Sequence, residues 1–369
     1  MRSHLSASEQ PLPPEARQRF QKLRIKGSFS RDPGAVGRIL VRSPNWVGDV
    51  VMSLPVLAGL ARLFPQAKIT VLAAPRVAPL FSAHPGVTEI VPYPAGRERW
   101  RTLWGLRGRF DLALALPNSL SSALGLYLAG VPNRVGYNAD ARRPFLTVAL
   151  SGRRHLKGVH TVFYYLGLLQ AFGGVTYFTP PALYLTAQEI EAAGELLASA
   201  ATSASGPWVG LSPGAAYGPA KRWPPERFAA LAGELQEELG ARIVLLGGPE
   251  DRESAALLKE RLRWPVLDLI GRTRLRQALG VLTHLQLLIT NDSGLMHAAA
   301  ALGVPLLALF GSTDPVATGP FTSRAQVLYH RLPCSPCFKR TCEEDYPCLT
   351  AISVAEVMAA ARRYLTEGA

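Results

Sequence analysis

Three stretches of this 369-residue chain put polar and flexible residues where an apolar run has just ended. In NDSGLMHAAAALGVPLLALFGSTDP (residues 291–315), Asp292, Ser293, Gly294 and His297 follow the run LLIT. A helix starting near Gly294 would offer unpaired backbone N–H groups and a partial positive charge, a natural seat for phosphate. Gly294 lets a ligand approach the backbone, Ser293 can donate a hydrogen bond, and His297, one turn on, can point at the same pocket. Asp292 is a poor phosphate partner, so it suits a helix cap or a sugar hydroxyl. The competing structural reading is an Asp cap beside a packed histidine.

A second stretch, SPGAAYGPAKRWPPERF, carries Gly214, Tyr217, Gly218, Lys221 and Arg222 ahead of a proline-started helix. Small residues with one lysine resemble a phosphate cradle without matching the G-x4-G-K-[ST] loop, and Lys221 would act as a point charge on a diphosphate. A solvated surface lysine is the alternative. The third stretch, VRSPNWVGDVVMSLP, places Asn45, Gly48 and Asp49 between a strand and a helix. Gly48 gives freedom for a turn, and Asp49 at a helix start is kept ionised by the dipole, as a base on a hydroxyl must be. A plain first-turn carboxylate is the simpler account.

Those loops need elements to hold them. RILVRS, KITVLAA and FDLALALP read as buried strands alternating with helical segments, and WVGLSPG, ARIVLLGG, PVLDLIG, LQLLITNDSG and VPLLALFG repeat the pattern. The expected fold is α/β, two Rossmann-type doubly wound parallel-sheet domains facing across a cleft, with ligand loops at strand C-termini. The expected organisation is a flexible basic arm (1–36), a first domain (37–180), a linker helix (181–206), a second domain (207–350) and a C-terminal helix (351–369). Thr186 and Glu189 form a capping-box signature at the linker helix.

Hydrophobic residues make up 48% and charged residues 18%, which describes a folded chain rather than a disordered one. No apolar run is long enough to span a bilayer and no signal-peptide core is visible, so a cytoplasmic protein is expected. The net charge of +13 asks for an anionic partner. Nucleic acid is disfavoured by the lack of basic runs with stacking aromatics, and a dinucleotide dehydrogenase by the lack of G-x-G-x-x-G after a strand. Cys334, Cys337, Cys342 and Cys348 share one window, CSPCFKRTCEEDYPC. A structural zinc knot, unligated thiols and disulfides all stay open there, with disulfides weakest in a reducing compartment. No histidine or open ligand position suggests a catalytic metal.

Together the three stretches resemble the ADP-heptose:lipopolysaccharide heptosyltransferases, over roughly residues 38–365. ALPNSLSSALGLYLAGVPNRVGY is most similar to the heptosyltransferase II branch. The resemblance implies the GT-B architecture and an inverting transfer of L-glycero-D-manno-heptose from ADP-heptose to the first heptose of the lipopolysaccharide inner core. It implies Asp49 as general base and Lys221 as stabiliser of the leaving ADP. Gly214, Tyr217, Lys221, Asp292, Ser293, Gly294 and His297 would hold the donor. Asn45, Arg134, Arg142 and Arg143 would meet the anionic acceptor, with Arg153, Arg154 and Lys157 nearby. It implies no catalytic cofactor, no nucleic acid, and a periphery of the inner membrane as workplace; the cysteines, found in only part of the family, would be structural. One departure stands out: Ala216 and Tyr217 precede Lys221 where the heptosyltransferase I pattern has hydroxylated residues. Transfer to another core position, by a heptosyltransferase I or III, and a nucleotide-sugar epimerase of the same architecture are the alternatives.

Overall fold

Runs such as LLITN (Leu287–Asn291) and LLALF (Leu306–Phe310) are buried along their whole length. A strand without a polar face must be covered on both sides, which requires parallel sheets sandwiched by helices. The computed structural model describes residues 9–29, 35–200, 205–262 and 264–366. It divides the chain into two units, Met1–Tyr184 and Leu185–Ala369.

The first unit contains β1 (Gln10–Pro11), β2 (Arg24–Gly27), β3 (Arg38–Arg42), β4 (Lys68–Ala73), β5 (Glu89–Pro92), β6 (Leu112–Ala115), β7 (Asn133–Tyr137), β8 (Val148–Ser151) and β9 (Tyr177–Phe178). Seven of them form one sheet in the order β2-β8-β7-β6-β3-β4-β5, parallel except for the antiparallel edge β2. β1 and β9 pair separately. The second unit contains β10 (Trp208–Ser212), β11 (Arg242–Leu245), β12 (Leu267–Asp268), β13 (Leu287–Asn291), β14 (Leu306–Phe310) and β15 (Ala325–Tyr329), all parallel in the order β12-β11-β10-β13-β14-β15. Each unit therefore has the Rossmann order 3-2-1-4-5-6, whose direction reverses between its first and fourth strands. Those pairs are β3 with β6 and β10 with β13. The crevice outside their C-terminal ends is where such sheets bind ligands.

Three expected boundaries move. Residues 1–36 are not simply a flexible arm: the helix Pro14–Phe20 buries Ala16 and Phe20, Leu12 is buried just before it, and β2 extends the sheet. Fewer than one residue in three is apolar there, and an edge strand is held by its main chain, so composition conceals both. Residues 1–8 and 30–34 lie outside the described residues. The linker helix, Ala187–Ala198, is part of the second unit and packs on the helix Leu275–Thr283. There a Cβ on Gly280 would meet Glu189 O at 2.8 Å, so only glycine allows this approach. The C-terminal helix Val354–Thr366 likewise places Val357, Met358, Ala360 and Ala361 in the second unit's core.

The predicted capping box of Thr186 and Glu189 is present, and Glu189 also pairs with Arg276. That guanidinium, with the Thr186 N–H, holds the Glu189 carboxyl down at about 2. A carboxylate whose folded pKa lies below its unfolded value stabilises the fold above the unfolded value and loses that stabilisation as pH falls through the folded one. The melting temperature of the wild type is thus expected to drop between about pH 4.5 and pH 2. Glu189→Gln should start lower at neutral pH and lose the part of that slope due to this pair, as a pH series of thermal melts would show.

Candidate active site

In the first unit, the crevice at β3 and β6 is built by the loop Ser43–Trp46 and the helix Val47–Leu63. Asp49 lies in the first turn of that helix, where the helix dipole favours a negative charge. Tyr165, from the helix Thr161–Leu166, donates its hydroxyl to Asp49 Oδ1 at 3.1 Å. Burial, and then the Asp49 charge, push the Tyr165 phenol well above its ordinary range, so it stays a donor and fixes the carboxylate. Gly48 is helical here and serves no turn.

Asn45 is exposed at this edge but braced: its side-chain oxygen accepts from Arg42 at 2.9 Å and its carbonyl from Arg76 at 2.9 Å. Arg42 is itself buried, its pKa lowered to about 10 by desolvation, with the guanidinium over the Tyr93 ring. Tyr165, Arg42 and Arg76 escaped the sequence reading. An arginine closing an apolar strand, as Arg42 does, was the available signal.

In the second unit, three strand-end loops converge on one carboxylate. Lys221 Nζ lies 2.5 Å from Asp292 Oδ2, which also accepts from Thr313 Oγ1 at 2.6 Å. Lys221 follows β10, Asp292 follows β13 and Thr313 follows β14. Asn291 stitches the first two loops together, donating to Pro213 O at 2.7 Å and accepting from the Trp223 N–H at 3.0 Å. Ser293, not Asp292, caps the helix Gly294–Ala301 by accepting from the Met296 N–H. Asp292 is therefore free of capping duty and orients the lysine. His297 is buried within the same helix.

Gly214 is required by crowding, since a Cβ there would meet the Asp251 carboxyl carbon at 1.9 Å. Asp251 ends the β11 loop and burial raises its pKa. Its Oδ1 is buried without a hydrogen-bond partner, and the nearest cation, Arg222, stands 4.0 Å away. Tyr217 does not point its hydroxyl at a ligand. It donates to Phe338 O at 2.6 Å and its ring lies between two cations, Lys221 Nζ at 4.9 Å and the Arg340 guanidinium at 5.4 Å from the centroid.

The result is a lysine, oriented by Asp292, beside a capped helix N-terminus, on the sheet edge where nucleotides bind. Residues 99–346 match the family model described as glycosyltransferase family 9 (heptosyltransferase). The chain belongs to glycosyltransferase family 9. It is 37% identical to lipopolysaccharide heptosyltransferase 2 of Salmonella typhimurium over 322 residues, covering 80% of this chain and 90% of that one. The match to lipooligosaccharide heptosyltransferase 2 of Haemophilus influenzae is 31% identical, over 79% and 88% of the two chains. Among solved structures, E. coli ADP-heptose lps heptosyltransferase II aligns with a TM-score of 0.72 at 32% identity, covering 90% of this chain and 99% of that one. The family 9 glycosyl transferase of Veillonella parvula aligns at 0.78 and 27%, over 90% and 97%. The expected GT-B class and glycosyltransferase activity stand.

Within this family 9 enzyme several of the expected acceptor residues are engaged in the fold. Arg142 is 0% exposed and gives its guanidinium to Tyr137 O, Pro117 O, Ser122 Oγ and Asn118 Oδ1. Arg134 donates to Val131 O, Pro132 O and Phe145 O, and Arg143 to Leu146 O. Arginines in polar loops look alike in sequence, whether they face solvent or fill a ring of carbonyls. Arg153, Arg154 and Lys157, by contrast, are exposed. The four thiols are free, and among the described residues no three His, Cys, Asp or Glu side chains are placed to hold a metal. Of the three readings left open for Cys334, Cys337, Cys342 and Cys348, this arrangement corresponds to unligated thiols.

Main-chain bonds fasten the cysteine-rich loop to the loop after β14 and to the lysine loop. Phe338 N–H donates to Ser312 O at 2.8 Å and Ala220 N–H to Arg340 O at 3.0 Å. Gly218 sits at φ +148, and a Cβ there would meet Arg340 O at 2.7 Å. Gly218→Ala must push the two loops apart. We expect it to raise the donor KM by about tenfold and also to lower the melting temperature, since a side chain is strained at this φ and ψ. Steady-state kinetics with calorimetry checks this.

Proposed function

We propose that this glycosyltransferase moves L-glycero-D-manno-heptose from ADP-heptose to the first heptose of the lipopolysaccharide inner core, with inversion. The observation that carries the reading is the Lys221–Asp292–Thr313 cluster beside the capped start of the helix Gly294–Ala301. It is a site for an anionic leaving group, in a chain similar to heptosyltransferase 2 proteins along most of its length.

The donor diphosphate takes the place at Lys221 and the N–H groups of the Gly294 helix, with Gly214, Ser293 and His297 around it. As the bond from the anomeric carbon to the diphosphate breaks, its electron pair leaves with ADP and the new negative charge meets the lysine and the helix start. Preorganised charge of this kind usually supplies the largest part of catalysis. The acceptor hydroxyl attacks the cationic carbon from the opposite side and its proton passes to Asp49, held by Tyr165. A carboxylate is a sufficient base because the hydroxyl turns acidic only as it bonds to the carbon. The +13 charge and the exposed Arg153, Arg154 and Lys157 suit a phosphorylated acceptor at the cytoplasmic face of the inner membrane. Lys221 and the helix start provide the charge compensation that a metal gives other transferases, so no metal is assigned to the step.

The test is mass spectrometry of products from ADP-heptose and defined core acceptors. One heptose added to an acceptor that ends in a single heptose is the expected result. Addition only to a heptose-free acceptor, or only to a longer core, would move the enzyme to another position. Conversion of ADP-heptose without acceptor would favour the epimerase alternative.

A further inference from the structure

The segment GRERWRTLWGLRGRF, residues 96–110, follows β5 and takes no part in the site above. Its helix, Glu98–Gly105, packs on the sheet through Leu103, with Leu106 just beyond; both join Leu126 of the helix Leu120–Leu128, and Ala129 just past its end, in one cluster. That packing leaves two large indoles outside. Trp100 is 46% exposed and Trp104 71% exposed, four residues apart and so on one face. Tyr127 and Leu128 of the neighbouring helix are also exposed. Tryptophan is ordinarily among the more buried residue types, so a pair left in water on one short helix calls for a partner.

The charge around the indoles says what kind. Five arginines and a single glutamate lie between residues 97 and 109. Arg109 is engaged with Glu89, whereas Arg97, Arg101 and Arg107 are exposed. Two arginines stack on the indoles themselves, Arg99 over Trp100 at 4.8 Å and Arg107 over Trp104 at 4.6 Å. An indole with a guanidinium against it presents an apolar body and a cationic rim, which matches the boundary between acyl chains and anionic headgroups. A protein partner would need an acidic counter-surface with pockets for both rings, whereas a bilayer meets the same apolar bodies and cationic rim without shaped pockets.

We infer that the Trp100–Trp104 face is a docking surface for an anionic phospholipid bilayer, with the indoles seated at headgroup depth and Arg97, Arg101 and Arg107 paired to phosphates. The helix follows the C-terminal end of β5, and Asp49 follows that of β3, so both start from the same sheet edge. Docking there brings a lipid-borne acceptor beside the Asp49 edge. The inference goes beyond the proposed transfer, and its test uses no sugar.

The full chain would be sedimented with vesicles of phosphatidylglycerol and phosphatidylethanolamine, and separately with phosphatidylcholine vesicles. Sedimentation with the first, little with the second, and release by about 0.5 M salt are expected. The paired variants Trp100→Ser with Trp104→Ser, and Arg97→Glu with Arg101→Glu, should each lower the partition coefficient by about tenfold or more. Both should keep the wild-type circular dichroism, melting temperature and rate on a water-soluble, delipidated acceptor. Wild-type protein that stays in the supernatant, or variants that sediment like wild type, overturn the inference. A dimer dispersed by the tryptophan variant, or salt-sensitive DNA retention lost in the arginine variant, in either case without vesicle binding, would assign the surface to another partner and overturn it equally. If one variant fails to fold, the other decides.

Discussion

Replacing Asp49 by alanine is expected to slow heptose transfer by about 10²–10⁴-fold, the usual worth of a positioned general base. Donor KM should hardly change, because the donor groups assigned here belong to the other unit. Asp49 sits in the first turn of a helix and accepts a hydrogen bond from the Tyr165 hydroxyl at 3.1 Å. Its loss therefore leaves a tyrosine with an unmade bond as well as a missing base. Tyr165→Phe separates the two effects. It keeps the carboxylate but removes one of the bonds that orient it, so a drop of about tenfold is expected there, with the rate difference between the two variants reporting the proton transfer itself. Single-turnover kinetics with saturating ADP-heptose gives both numbers. Asp49→Ala that turns over near the wild-type rate would remove the base from the account.

Lys221→Met is the second large effect. Removing one preorganised charge from a developing oxyanion costs about 10²–10³ in rate. Here the lysine also neutralises Asp292, which is buried and shares its Oδ2 with Thr313. The methionine variant leaves that buried carboxylate without its lysine beside an incoming diphosphate, so both kcat and donor affinity should fall. Asp292→Asn provides the contrast: the lysine keeps its charge but loses the partner that aims it, and the smaller deficit should lie mostly in kcat. A Lys221→Met enzyme with unchanged kcat and a higher KM would mean the lysine binds donor without stabilising the transition state.

Much of this arrangement was legible in the sequence because both sheets are buried on two faces. LLITN and LLALF have no polar face to confuse the period, so β13, β14 and the loops after them could be placed from residue types alone. The edge strands could not: β2 is RIKG, exposed along its length and held by its main-chain ladder to β8. Asp292 shows the same limit at the site. Asp and Ser are both good helix caps, and only the approach of Lys221, 71 residues away in sequence, decides that Ser293 caps while Asp292 pairs. Arg142 shows it for charge, since four carbonyl and side-chain acceptors from separate parts of the chain cannot be foreseen from a basic loop. Tyr217 looked like a phosphate ligand by its place before the lysine, yet its hydroxyl is spent on Phe338 O. The departure from hydroxylated residues in that loop now has a physical content: the ring of Tyr217 supports Lys221 rather than replacing a hydroxyl.

The stereochemistry of the product is the most direct measurement of the central claim, that an Asp49-activated hydroxyl displaces ADP from a donor held at Lys221. The anomeric configuration of the newly added heptose can be read by nuclear magnetic resonance from a defined acceptor. A single displacement predicts the configuration opposite to that of the donor, with the signal lost in Asp49→Ala. Retention of the donor's configuration would require a covalent or front-face step for which this account provides no group, and would contradict it.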